Sequence, residues 1–259
     1  MMANKTSSFC GHGIQTNGVF DSGCTYDGYT EAALCMKITE ACNKYLKYSG
    51  ITVITDAPSN KINMIAQVEK SNSEKSKIHV AFHCDYSGAP AGTLPLYTSA
   101  KGKKLASLMN TYVVKEVGMK TRGLGYRTDL YELNQTDMPS VVFECGSIKA
   151  DLSYLRDKYN AIGKACAHGI CKYFGVPFVT KATYTGSLPT KELKKGSTGS
   201  QVKKWQKFLN WAIKAKLEVD GDFGKLTKTA TEKFQEKCHL KVTGTTNPTT
   251  RAAAKNFKK

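Results

Sequence analysis

The sequence predicts an α/β domain, with a mostly parallel twisted sheet and helices on both faces, followed by a small all-α C-terminal domain. Three observations carry this reading. Short β-branched runs alternate with long helical patterns up to about residue 178. A Thr, Ser, Lys and Gly-rich stretch, TKATYTGSLPTKELKKGSTG (180–199), then interrupts the pattern. Beyond it, a turn followed by a helix occurs twice at an offset of 23 residues.

The elements follow in order. A short strand precedes CGHG (10–13), and its glycines mark a turn. Ala32, Cys35, Met36, Thr39, Ala41 and Leu46 fall roughly at helical spacing and predict a helix over 31–48. GITVITD (50–56) is a β-branched run after a glycine, KIHVAFHCD (77–85) alternates around Val80 and Phe82, and PSVVFECG (139–146) is a short apolar run ending in a glutamate. Helical patterns over 100–116 and 156–174 separate and follow these strands. Short strands joined by long helices require crossovers, hence parallel pairing. Boundaries are expected at 1–178 for this domain, 179–192 for a linker and 193–259 for the last domain. In the last domain Val202, Trp205, Phe208, Leu209 and Trp211 lie near one helical face, and VDGDFGKLTKTA (219–230) recurs weakly as VTGTTNPTTRAA (242–253). Three short helices around one small core are the expected result.

Composition narrows the function. No apolar run reaches the eighteen residues that a membrane-crossing helix needs. The start, MMANKTSSFC, lacks the apolar segment of a secretory signal, so synthesis in the cytoplasm is expected. The nine cysteines include no C-x-x-C pair, and most sit inside apolar segments. They read as small buried hydrophobes of a protein made in a reducing compartment. Residues 181–259 carry 18 Lys+Arg against 6 Asp+Glu, a net +12, whereas residues 1–180 carry only +5. A basic tail domain calls for a polyanionic partner. Nucleic acid is not expected, because no recognition motif accompanies the charge.

In open α/β sheets, sites form beyond the carboxyl ends of the strands. The polar side chains expected there are His12, Glu31, His83 and Glu144. Two imidazoles and a carboxylate suit a catalytic zinc, and a further glutamate suits a general base. Glu40, nine residues from Glu31, stands about 13 Å further along the helix and belongs to no common site. His79, four strand residues from His83, is expected at the strand start or surface. Cys10 and Asp85 each lie two residues from a candidate histidine and stay open, Asp85 as a partner of an imidazole or a substitute ligand. His168 and His239 read as structural or exposed. On spacing alone, four unrelated polar residues remain an equal alternative.

CGHG (10–13), Glu31 opening a helix, HVAFHCDYSGAPAGTLPLY (79–97) and MPSVVFECGSIKADLSYL (138–155) occur in this order, and the stretch from about residue 5 to 175 resembles the zinc-dependent N-acetylmuramoyl-L-alanine amidases. The resemblance implies that His12, Glu31 and His83 bind Zn²⁺, that Glu144 is the catalytic glutamate, and that the amide between N-acetylmuramic acid and L-alanine of peptidoglycan is cleaved. The chain departs from the family pattern at Asp85, where the family has Asn, and at Ser147, where it has Phe. LKKGSTGSQVKKWQKFL (193–209) and VDGDFGKLTKTATEKFQ (219–235) resemble the three-helix peptidoglycan-binding domain of cell-wall hydrolases. There Gly221 and Gly224 permit a tight turn, and Phe223 with at least one of Trp205 and Trp211 is expected to pack the core. Lysines would attract anionic wall polymers. Together these imply a peptidoglycan hydrolase of the phage endolysin kind, made in the host cytoplasm and acting at the wall after release. The rival expectations are a zinc peptidase cutting within the stem peptide and a non-catalytic wall-binding protein.

Overall fold

A computed structural model describes residues 4–259. In chain order the first unit contains β1 (Lys5–Cys10), β2 (Thr25–Tyr26), β3 (Tyr29–Thr30), α1 (Glu31–Tyr48), β4 (Thr52–Ile54), α2 (Met64–Ser73), β5 (Ile78–Asp85), β6 (Leu94–Tyr97), α3 (Ala100–Val117), β7 (Gly125–Tyr126), α4 (Tyr131–Asn134), β8 (Ser140–Ser147), α5 (Leu152–Asp157) and α6 (Tyr159–Phe174). The second contains α7 (Ser200–Ile213), α8 (Lys225–Lys237) and α9 (Pro248–Asn256). The chain divides between Thr180 and Lys181.

Six strands form the main sheet in the order β4-β1-β5-β8-β6-β7. β4, β1, β5 and β8 run parallel, and β6 is antiparallel to β8. The central strands are buried on both faces, so β5 and β8 read as near-continuous apolar runs. One face carries α1, α3 and α6, whose Ile38, Met109 and Ile162 join Val80 and Phe143 of the sheet in the larger core. Close approach there depends on small residues: a Cβ at Gly163 would lie 2.5 Å from the Ile38 carbonyl of α1. On the opposite face Leu133 of α4 packs against Ala81 and Val142.

Most expected strands and helices stand where the sequence places them. The pattern over 156–174 is two helices, because the backbone breaks at Lys158 between α5 and α6. α2 was not expected: its polar face hides a buried stripe of only Gln67, Val68 and Ser71. All nine cysteines are unpaired and seven are buried, as expected of small core residues. Among the described residues no helix is long and apolar enough to cross a membrane.

The second unit has its own core, built on Trp205, Phe208, Phe223 and Phe234, all fully buried. Tyr184 and Leu188, from the stretch expected as linker, pack against it. The sequence repeat has a structural counterpart. Gln206 accepts the Gly221 N–H at 3.0 Å and donates to Thr227 Oγ1 at 3.3 Å. Gln235 accepts the Gly244 N–H at 2.9 Å and donates to Thr250 Oγ1 at 2.8 Å. Each buried amide thus ties a glycine turn to the helix that follows it.

Candidate metal centre

The site forms at the carboxyl ends of β1 and β5 and the start of α1. His12 follows β1, and Asn60 Nδ2 fixes its backbone by donating to the His12 carbonyl at 2.7 Å. Glu31 is the first residue of α1, whose N-cap Thr30 accepts the Ala33 N–H at 3.2 Å. A carboxylate there is favoured by the helix dipole. It is also held by two backbone donors, Cys24 N–H to Oε2 at 3.0 Å and Cys84 N–H to Oε1 at 2.9 Å. His83 lies near the end of β5, level with Glu144 on the neighbouring β8.

Glu31 Oε1 lies 3.3 Å from His12 Nε2 and 3.1 Å from His83 Nδ1. One ligand atom from each of the three residues falls within 4.8 Å of the others. Tetrahedral ligands about 2.0–2.1 Å from a zinc are separated by roughly 3.3 Å. The donor set and its spacing therefore fit a divalent cation with open positions for water and substrate.

Electrostatics agree with that fit. Burial would lower the His12 and His83 pKa values, but carboxylates outweigh it and raise both, Glu31 for His12 and Glu132 with Glu31 for His83. Burial would raise Glu31, yet its two imidazole partners hold it well below the usual carboxylate range. Glu144 is the contrast. Burial pushes its carboxyl up to about 7; His83 opposes this, and the negative charges of Glu31 and Asp85 reinforce it. Its Oε2 is buried without a hydrogen-bond partner among the described residues. Such an acceptor, beside a site for a cation, is suited to hold or move a proton.

Sequence reasoning missed three groups around the site. Asp21 Oδ2 lies 2.9 Å from His12 Nδ1 and holds the ring from its far side. Glu132 Oε2 lies 3.4 Å from His83 Nε2. Arg122 Nη1 donates to Asp85 Oδ2 at 2.7 Å. Asp85, left open by the sequence, thus pairs with the guanidinium, and no contact of it with an imidazole is present among the described residues. Cys10 falls outside the group of His12, Glu31 and His83, and its Sγ donates to the Ala32 carbonyl at 3.5 Å. His79 is fully buried rather than at the surface, with Nδ1 2.9 Å from Ser71 Oγ on α2. His168 stacks between Tyr112 and Phe178, a structural position. No spacing rule marks Asp21 or Glu132, because loops and a four-residue helix carry them. The one available signal for Glu132 was a carboxylate between Leu130 and Leu133, two residues that pack on the sheet.

A cleft of about 340 Å³ opens beside the histidines and is lined by Gln15, Asp21, Met64 and Ile65 as well as His12 and His83. Met64 and Ile65 remain partly exposed there, 38% and 37%. The cleft therefore offers a polar reactive end and an apolar wall.

A mostly parallel sheet presenting a His-Glu-His group next to a half-buried glutamate, whose Oε2 is buried and unpaired among the described residues, has the makings of a metal-dependent hydrolase. Residues 9–172 match the N-acetylmuramoyl-L-alanine amidase family, and the chain belongs to it. Residues 198–254 match a peptidoglycan binding domain. An uncharacterized protein of Clostridium perfringens strain 13 is 30% identical over 146 residues, covering 52% of this chain and 43% of its own length. The chain thus spans less than half the length of that curated relative. Among solved structures, N-acetylmuramoyl-L-alanine amidase AmiC2 of Nostoc punctiforme superposes with a TM-score of 0.60 at 22% identity, over 66% of this chain and 97% of that one. The catalytic domain of the CD27L endolysin targeting Clostridium difficile gives 0.56 at 20% identity, over 65% and 97%. These likenesses establish the fold.

Proposed function

We propose that the chain is a zinc-dependent N-acetylmuramoyl-L-alanine amidase that hydrolyses the amide between the lactyl group of N-acetylmuramic acid and L-alanine in peptidoglycan. The observation that carries the reading is the convergence of His12, Glu31 and His83 beside the unpartnered Glu144 carboxylate, in a chain of the amidase family.

His12 Nε2, Glu31 Oε1 and His83 Nδ1 would hold the ion, and two imidazoles with a carboxylate suit Zn²⁺. When bound, the cation polarises the scissile carbonyl and acidifies a water. Glu144 takes the proton of the attacking water and delivers it to the leaving nitrogen of L-alanine. Burial keeps that carboxyl near neutrality, where it can do both. Asp21 keeps the His12 ring oriented from its far nitrogen.

The domain plan is a catalytic unit over residues 1–178, a connecting stretch over 179–192 and a wall-binding unit over 193–259. The match to a peptidoglycan binding domain and the +12 charge of residues 181–259 support binding to the wall and to its anionic polymers. Nine free thiols suit synthesis in a reducing bacterial cytoplasm before action at the wall, the setting of a phage endolysin.

The test compares the wild-type chain with Glu144→Gln on purified walls, counting newly freed amino groups and bound zinc. The expected result is a loss of turnover of about 10²-fold or more with zinc retained. Wild-type turnover in the variant would remove Glu144 from this role.

A further inference from the structure

The His83 side of the centre carries an arrangement that zinc binding alone does not use. His83 Nε2 and Glu132 Oε1 are both buried without a hydrogen-bond partner among the described residues. Glu132 Oε2 stands 3.4 Å from that nitrogen, and the Glu132 side chain is only 6% exposed. An ionised carboxylate removed from water is costly unless it is paired. His79, on the same face of β5, is already tied through Nδ1 to Ser71.

The scaffold fixes this carboxylate. Leu133 packs under α4 on Ala81 and Val142. Asn72 of α2 clamps the following turn, donating to the Gln135 carbonyl at 2.8 Å and accepting the Asp137 N–H at 3.0 Å. Ser140 Oγ donates to the Leu133 carbonyl at 3.3 Å. Glu132 is thus aimed by packing and hydrogen bonds that do not involve His83.

The two histidines face Glu31 through different nitrogens. His12 presents Nε2 and has Asp21 behind Nδ1; His83 presents Nδ1 and has Glu132 behind Nε2. We propose that Glu132 is a positioning residue of the metal centre: its carboxylate accepts a hydrogen bond from the Nε2–H of His83, which keeps the proton on Nε2 and leaves the Nδ1 lone pair to point to the ion. This rests on the reading that His12, Glu31 and His83 hold a divalent cation. Carboxylates behind ligating histidines fix the tautomer and raise ligand basicity. Glu132 is far more buried than Asp21, at 6% against 35% side-chain exposure, so its charge is screened less.

The experiment uses the full chain as wild type, Glu132→Gln and Glu132→Ala. Zinc affinity is measured by competition with a chromophoric chelator, the visible spectrum is recorded with Co²⁺ in the site, and the metal-free forms are melted. Glu132→Gln keeps the shape and an acceptor oxygen but removes the charge. Zinc affinity should fall about 10- to 100-fold and the Co²⁺ bands should shift, whatever the change in the metal-free melting temperature. Should Glu132→Ala fail to fold, the Gln variant still decides. Unchanged affinity and unchanged Co²⁺ bands in Glu132→Gln overturn the inference and leave the metal site standing. A lowered metal-free melting temperature with unchanged affinity also overturns it, assigning Glu132 to packing. A wild-type chain that binds neither ion overturns it together with the reading of the three ligands.

Discussion

Gly11 decides where His83 can stand. A Cβ on residue 11 would lie 1.8 Å from His83 Nε2, inside the imidazole itself. Gly23 has the same importance for Glu31: its φ is +65°, and a Cβ would meet Glu31 Oε2 at 2.6 Å. Gly11→Ala should therefore displace the His83 ring and lose bound zinc while the sheet still forms; metal analysis together with far-ultraviolet circular dichroism checks this. Glu144 yields a second prediction. A general base works only when deprotonated, so turnover should fall as pH drops through the Glu144 pKa. Burial pushes that value up to about 7, and a dication held by His12, Glu31 and His83 would bring it down, which places the acid limb below neutrality. A kcat profile that still rises toward about pH 5 would exclude Glu144 as the base. At this scale the four candidate residues were legible as candidates because the sequence puts each near a strand end or at a helix start. Asp21 and Glu132 were not, because what brings them to the histidines is the path of loops and a short helix, which no local pattern encodes.

Adjacent strands do the work of assembling the centre. His83 and Glu144 are 61 residues apart in sequence but are register partners on β5 and β8. The alternation of β5 and the apolar run of β8 were readable; the adjacency of the two strands was an inference from the rules of parallel sheets. β6 and β7 escaped notice because they are short edge-side strands, and LPLY carries a proline that weakens a strand pattern. In the second unit, the repeat was legible as matching Val, Gly, Thr and Ala positions, whereas the glutamines that explain it were not, since they lie 29 residues apart and outside the matched segments. Gln235 accepts from Thr243 and Gly244 and donates to Thr250. Gln235→Ala takes the acceptor from the Thr243 and Gly244 N–H groups and should lower the stability of this unit by about 1–3 kcal/mol. Calorimetry should show the transition of the second unit moving down and that of the first unmoved, because the two cores are separate.

Charge acts on the scale of the whole molecule. Of the net +17, residues 181–259 hold +12. If this charge draws the chain to anionic walls as proposed, salt screens the attraction, and sedimentation of the full chain with walls should weaken between about 0.05 M and about 0.5 M salt. Binding that ignores salt would assign wall recognition to uncharged contacts. The proposed reaction involves one bond and one ion. The most direct measurement is mass spectrometry of purified peptidoglycan digested by the full chain, with a chelator, without it, and after zinc is restored. Free stem peptides with a new L-alanine amino terminus and intact glycan strands, lost on chelation and regained with zinc, are the predicted products. Cleavage at another bond, or the same products undiminished by the chelator, would contradict the account.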